Sequence, residues 1–171
     1  GFIGSPAMNL TYGHIEGSGD DVYAVLPNNR LKLDKKAIEG HPGLENYTGQ
    51  ELVIGLRPSA LEAASVVGPD PSRTLQAQVE VTEMLGADTY IHFTVNRAPV
   101  ITPDIEELLA DTGRDTSSLG DKTNFIARVS PDISVARGDT VDLVVDTSKL
   151  HFFDASTGDR IGAKAPAAVA V

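Results

Sequence analysis

Leu75–Val95, LQAQVEVTEMLGADTYIHFTV, is the stretch whose reading decides the fold. Leu75, Ala77, Val79 and Val81 alternate with Gln76, Gln78, Glu80 and Thr82. Beyond Leu85-Gly86-Ala87-Asp88, Thr89, Ile91, Phe93 and Val95 alternate with Tyr90, His92 and Thr94. A period of two on both sides of a Gly-containing connection predicts a hairpin. Each predicted strand has one apolar face, so further sheet must cover it. Asn124–Val129, Thr140–Val145 and Lys149–Phe153 are the strands available for that cover.

Working outward, Val22–Leu26 predicts a short strand, and Leu31–Leu33 returns beside it after the turn Pro27-Asn28-Asn29-Arg30. Glu51–Leu56 predicts another strand, closed by Arg57-Pro58. Ser59–Ala64 is one helical turn, and Val66–Arg73, with Gly68, Pro69 and Pro71, is a loop. Toward the start, Gly1–Tyr12 reads as an extended connector and Gly13–Asp21 as a Gly-rich loop. Lys35–Tyr47, broken by Gly40, Pro42 and Gly43, reads as irregular. Residues 98–122 form a polar excursion of different character. In it Thr102 suits an N-cap, Pro103 the first helical position, and Asp104, Glu106 and Glu107 the positive end of the helix dipole. A short helix over Pro103–Asp111, ended by Gly113, follows. Ala163–Val171 reads as a flexible tail. Many short strands with Gly/Pro turns make the chain all-β, a barrel or a sandwich.

The 171 residues carry 24 acids against 14 Lys and Arg, a formal charge of -10. So acidic a surface repels nucleic-acid phosphate and anionic lipid. There is no Cys, which excludes disulfides, thiolate metal sites and Cys nucleophiles. No apolar run approaches the roughly 20 residues of a membrane helix. The opening Gly1-Phe2-Ile3-Gly4 reads as a piece of a longer protein or a processed product.

The chemistry motifs are missing. GxxxxGK[ST] and GxSxG do not occur, and no GxGxxG opens a helix. His14, His41, His92 and His151 show no metal-ligand spacing, and each reads as a structural or surface histidine. Asp20-Asp21 lies in a predicted loop, and helix position explains Glu106-Glu107. No catalytic, cofactor or metal residue is therefore expected. Two features point to contact with a partner. Arg57-Pro58-Ser59 places a cation at a strand end. Phe152-Phe153, beside His151, puts adjacent aromatics on opposite faces of one strand. Either the outward Phe marks a contact surface, or the tail or the helical excursion covers it.

Several stretches together resemble a known family. GFIGSPAMNL at Gly1–Leu10, LVIGLRPSAL at Leu52–Leu61, VEVTEMLGADTYIHF at Val79–Phe93 and GDTVDLVVDTSKLHFFDASTG at Gly138–Gly158 occur in the order seen in ATP-binding subunits of sugar-importing ABC transporters, the maltose-importer ATPase family. The excursion and the LHFFD ending are most similar to the actinobacterial multiple-sugar and trehalose type. The resemblance implies an OB-type β barrel with an appended TOBE-like lobe, so that residues 1–162 form a non-catalytic C-terminal regulatory domain and 163–171 a tail. It implies pairing with a second copy, association of the parent with membrane permease subunits, and a place at the cytoplasmic face of the cell membrane without insertion into it. ATP and Mg²⁺ would belong to the parent's ATPase domain, and neither to this chain. Arg57, Pro58, Ser59, Leu85, Gly86, His151, Phe152 and Phe153 become the interface or regulatory candidates. The alternative is a TOBE domain that senses a small ligand or oxyanion. One departure stands out: the family's Arg-Pro-Glu-His is Arg57-Pro58-Ser59-Ala60 here, which removes the Glu and His of a regulatory neighbourhood.

Overall fold

The computed structural model describes residues 7–162. Three antiparallel sheets enclose one main apolar core. The first strands are β1 (Asn9–Ser18), β2 (Asp21–Leu26) and β3 (Asn29–Lys32). A short helix α1 (Lys35–Glu39), capped by Asp34, leads to β4 (Leu52–Leu56). Then come β5 (Leu61–Ala63), a helical turn α2 (Ala64–Val67) and β6 (Thr74–Gln78). The hairpin of β7 (Val81–Leu85) and β8 (Asp88–Val95) follows. Helix α3 (Pro103–Thr112) lies in the excursion, and β9 (Thr123–Val129), β10 (Thr140–Val145) and β11 (His151–Asp154) close the chain. The sheets have the orders β11-β4-β1-β2-β3, β5-β10-β6 and β7-β8-β9.

The hairpin turn forms as predicted, with Leu85 opposite Asp88 and Gly86 at a φ of 64°. Glycine accepts that conformation without strain. The long strand before it does not form as one piece. Thr74–Gln78 pairs with β10, whereas from Val81 the chain pairs with β8. The change occurs at Val79 and Glu80. Val79 exchanges hydrogen bonds with the Gly138-Asp139 backbone, and the Glu80 N–H donates to the His92 carbonyl. Leu75, Ala77 and Val79 are buried, as their alternation requires, but Val81 is half exposed. The strand has by then left the core for a sheet edge. On β8 the alternation holds throughout: Thr89, Ile91, Phe93 and Val95 are buried. Phe93 stands opposite Phe125, edge to face at 5.8 Å between centroids. Burying a ring of this size stabilises by about 2–3 kcal/mol.

Gly13–Ser18 is strand, not loop. β1 pairs with β4 through Asn9–Gly13 and with β2 through His14–Ser18. A Cβ on Gly13 would lie 2.4 Å from the Val25 carbonyl oxygen and 2.7 Å from Ile54 Cδ1. The glycine marks close approach of backbones inside a strand. Lys35–Tyr47, read as irregular, holds α1 and a 3-10 turn at Leu44–Tyr47. Only part of Ser59–Ala64 is helical: a 3-10 turn at Pro58–Ala60 gives way to β5. The helix of the excursion agrees with its sequence. Thr102 Oγ1 accepts the Ile105 N–H and Gly113 ends the helix in the left-handed region. The tail 163–171 and the segment 1–6 lie outside the described residues.

Side chains join the sheets where no ladder does. Asn9, buried at 5% exposure, donates from Nδ2 to the Ile126 carbonyl at 2.9 Å and accepts the Ile126 N–H at 2.8 Å. Its amide stands in for a neighbouring strand at the open edge of β9. The Glu62 carboxylate on β5 accepts the Ser130 N–H just beyond β9. Replacing Asn9 by Leu strands one backbone donor and one acceptor, at about 1–3 kcal/mol for each group left unsatisfied. Because Ile126 is only half-buried, the lower part of that summed range applies, and Asn9→Leu is expected to lose about 2–4 kcal/mol of stability, read from urea unfolding. An unchanged urea midpoint contradicts the bridging role of this amide.

Candidate functional site

β4 runs buried from Leu52 to Leu56 and emerges at Arg57. Arg57 is extended, as a residue before proline prefers, and Pro58 and Ala60 are buried while Ser59 is exposed. Ala60, 3% exposed, belongs to the main core. The position where the resembling family carries His is thus a packing position in this chain.

β11 pairs with β4, with His151 opposite Gly55 and Phe153 opposite Val53. The period of two sets His151 and Phe153 on the face of Gly55 and Arg57, and Phe152 on the other. Phe152 is fully buried in the main core, where the His41 ring meets it edge-on at 4.9 Å. Phe153 is also buried, at 5% exposure, in a second cluster with Met8, Val53 and Val100. Of the two alternatives for this pair, the structure shows the covered one: neither Phe is outward. Val100 comes from the excursion, and Gly55 has no side chain to displace Met8, whose sulfur lies where a Cβ would meet it at 2.4 Å.

After the turn at 155–158 the chain doubles back along β11. Arg160 bridges to Phe153, and the Ile161 N–H donates to the Phe152 carbonyl. Arg160 Nη2 then contacts His151 Nδ1. Burial, with the charges of Arg160 and Arg57 adding to it, holds the His151 imidazole down at about 4 from its usual 6.5. Arg57, His151 and Arg160 thus share one face at one end of the five-stranded sheet. Leu85 and Gly86 stand apart, exposed at the β7–β8 turn. Arg160 carried no signal in the sequence, because its contact with His151 exists only once the chain doubles back.

The carboxylates have structural duties. Asp154 accepts the Thr157 and Ser156 N–H groups and the Tyr47 hydroxyl, which hold its carboxyl below the usual range. A cleft of about 700 Å³ lies between this turn and the start of α3, lined by Tyr12, Val53, Val100, Asp104 and Glu106 among others. Among the described residues no group of three or more His, Asp or Glu side chains is placed to hold a metal ion. No helix among them is long and apolar enough to cross a membrane.

This architecture defines a class, an OB-type β barrel with an appended antiparallel lobe. In particular, residues 4–61 match the MalK OB fold domain family. The trehalose import ATP-binding protein SugC of Mycobacterium tuberculosis is 33% identical over 167 residues, covering 94% of this chain and 39% of that protein. The oligosaccharides import ATP-binding protein MsmX of Bacillus subtilis is 26% identical, and the trehalose/maltose import ATP-binding protein MalK of Thermococcus litoralis 28%. Each covers 94% of this chain, which spans 36% of either protein. The chain therefore corresponds to somewhat over a third of the length of these relatives. A solved structure of the cytoplasmic molybdate-binding protein ModG aligns at a TM-score of 0.47 and 13% identity, covering 84% of this chain and 94% of its own. That likeness is too distant to carry an argument.

Two measurements follow. A depressed histidine pKa means that the unfolded chain takes up a proton first. Stability is therefore full above pH 6.5 and falls as the pH drops toward 4, the window set by His151. Urea midpoints between those values are expected to fall less steeply for His151→Gln than for the parent. Gly162 has a φ of 75°, and a Cβ there would meet the His41 backbone at 2.6 Å. Gly162→Ala should cost more than the ~1 kcal/mol of a conformational penalty alone and loosen the Arg160–Ile161 return, seen as faster amide exchange at Ile161.

Proposed function

We propose that this chain is the non-catalytic C-terminal dimerisation and regulatory domain of the ATP-binding subunit of an ABC importer for sugars or related solutes. The observation that carries the reading is the alignment of nearly the whole chain with importer ATP-binding proteins. The parent would couple hydrolysis of ATP, with Mg²⁺, to carbohydrate uptake, and would work against permease subunits at the inner face of the membrane. The domain's part would be mechanical. A barrel with a continuous core is stiff, and it can hold two ATPase subunits together while their nucleotide sites open and close.

The surface offered for the self-contact is β7. It is an edge strand, exposed along its length, and it carries Val81, Met84 and Leu85 at 50%, 71% and 58% exposure. On this reading the interface role expected of Leu85 and Gly86 falls at the end of this strand. An open edge with three exposed apolar side chains favours pairing with another chain. Sedimentation equilibrium is expected to show reversible self-association of the chain. Met84→Glu is expected to weaken it at least tenfold, about 1.4 kcal/mol or more. A strict monomer at high concentration contradicts the reading.

A further inference from the structure

We propose that the guanidinium groups of Arg57 and Arg160, with the Nε2–H of His151, form a receptor for a phosphoryl dianion, supplied by inorganic phosphate or by a small phosphomonoester. The case begins with charge. The chain is acidic overall, and Arg30, Lys32, Arg73, Arg97 and Lys149 each have a carboxylate partner, Glu16, Asp21, Asp70, Glu51 and Asp146. Among the described residues no carboxylate lies within ion-pair distance of Arg57 or Arg160; the same holds for Lys36, Arg114, Lys122, Arg128 and Arg137, but only the first two share a face with one imidazole. The nearest acid along the chain, Asp159 beside Arg160, makes no ion pair with it, and Asp154 is committed to its own turn and to Tyr47. Arg160 thus contacts one half-buried imidazole, and Arg57 lies on the same face, close enough to act on its charge.

The donors are also arranged. Arginine has only N–H donors, so His151 Nδ1 accepts from Arg160 and the ring proton resides on Nε2. That N–H has no protein acceptor among the described residues. Backbone pairing fixes the bases of two of these side chains, His151 by its pairing with Gly55 and Arg160 by its bridge to Phe153, while Arg57 is held in extended backbone directly between β4 and Pro58. The buried cluster of Phe153 and Met8 supports the same face. Two cations and a third donor in a fixed frame match the charge and the several acceptor oxygens of a phosphoryl group. The anion also offsets the repulsion from Arg160 and Arg57 that adds to burial in keeping His151 neutral, so binding should draw a proton onto its ring.

The test is an NMR titration of the His151 ring of this chain, with calorimetry alongside. Inorganic phosphate, glucose 6-phosphate and chloride are compared at matched ionic strength. Saturable binding of a phosphoryl anion is expected, with the His151 pKa rising by about one unit, a tenfold gain in proton affinity. Tighter binding of glucose 6-phosphate assigns the site to a phosphomonoester, and tighter binding of inorganic phosphate to the free ion. Arg57→Gln and Arg160→Gln should each weaken binding about tenfold or more, with unchanged thermal unfolding showing that the fold is kept. The proposal is overturned if chloride gives the same shift, if neither phosphoryl anion saturates, or if both variants bind like the parent. The titration reads each chain by itself, so its outcome does not depend on self-association.

Discussion

The amide of Asn9 holds together two sheets that no ladder connects. β9 would otherwise end its sheet with an open edge, where half-buried Ile126 presents a donor and an acceptor. Asn9 answers both from the first residue of β1. Glu62 does similar work with the Ser130 N–H. Together with the backbone hydrogen bonds of Val79 and Glu80, these two side chains help to hold the five-stranded sheet, the β5-β10-β6 sheet and the hairpin sheet against one another. The single core that includes Ile54, Leu75, Phe93, Leu143 and Phe152 depends on that closure.

The same economy shapes the far end of the five-stranded sheet. Asp154 organises a turn that sends the chain back along β11, and Gly162 lets it press against the backbone at His41. The return delivers Arg160 to His151 and Ile161 to the core. One face of β11 is spent on packing Phe152. On the other, Phe153 packs under the excursion while His151 keeps the company of arginines. A strand of four residues thus serves both cores and also orders a charged surface.

Much of the fold was legible from local pattern. The alternation on Thr89–Val95 survived because that strand lies inside its sheet with one face on the core. The Thr102-Pro103 start and the Gly113 end of the helix in the excursion are local capping chemistry, and local chemistry reads well. The long alternation before the turn misled in one respect: a strand can keep its period while changing partners, and the exchange at Val79-Glu80 leaves no trace in composition. Gly13 misled in the opposite direction. Glycine that admits a neighbouring backbone looks, in sequence, like glycine that makes a loop.

The sequence alone determined the all-β class, the hairpin turn at Gly86, the capped helix and the likeness to importer ATP-binding subunits, since each rests on residues close together in the chain. Of the residues singled out for contact, it could name Arg57 and His151 but could not join them. Tertiary structure decided that Phe153 is covered, that Ala60 is core, and that Arg160 meets His151. These outcomes depend on register between segments about 100 residues apart and on a chain reversal after Asp154, and side-chain patterns do not encode either until the sheets have closed.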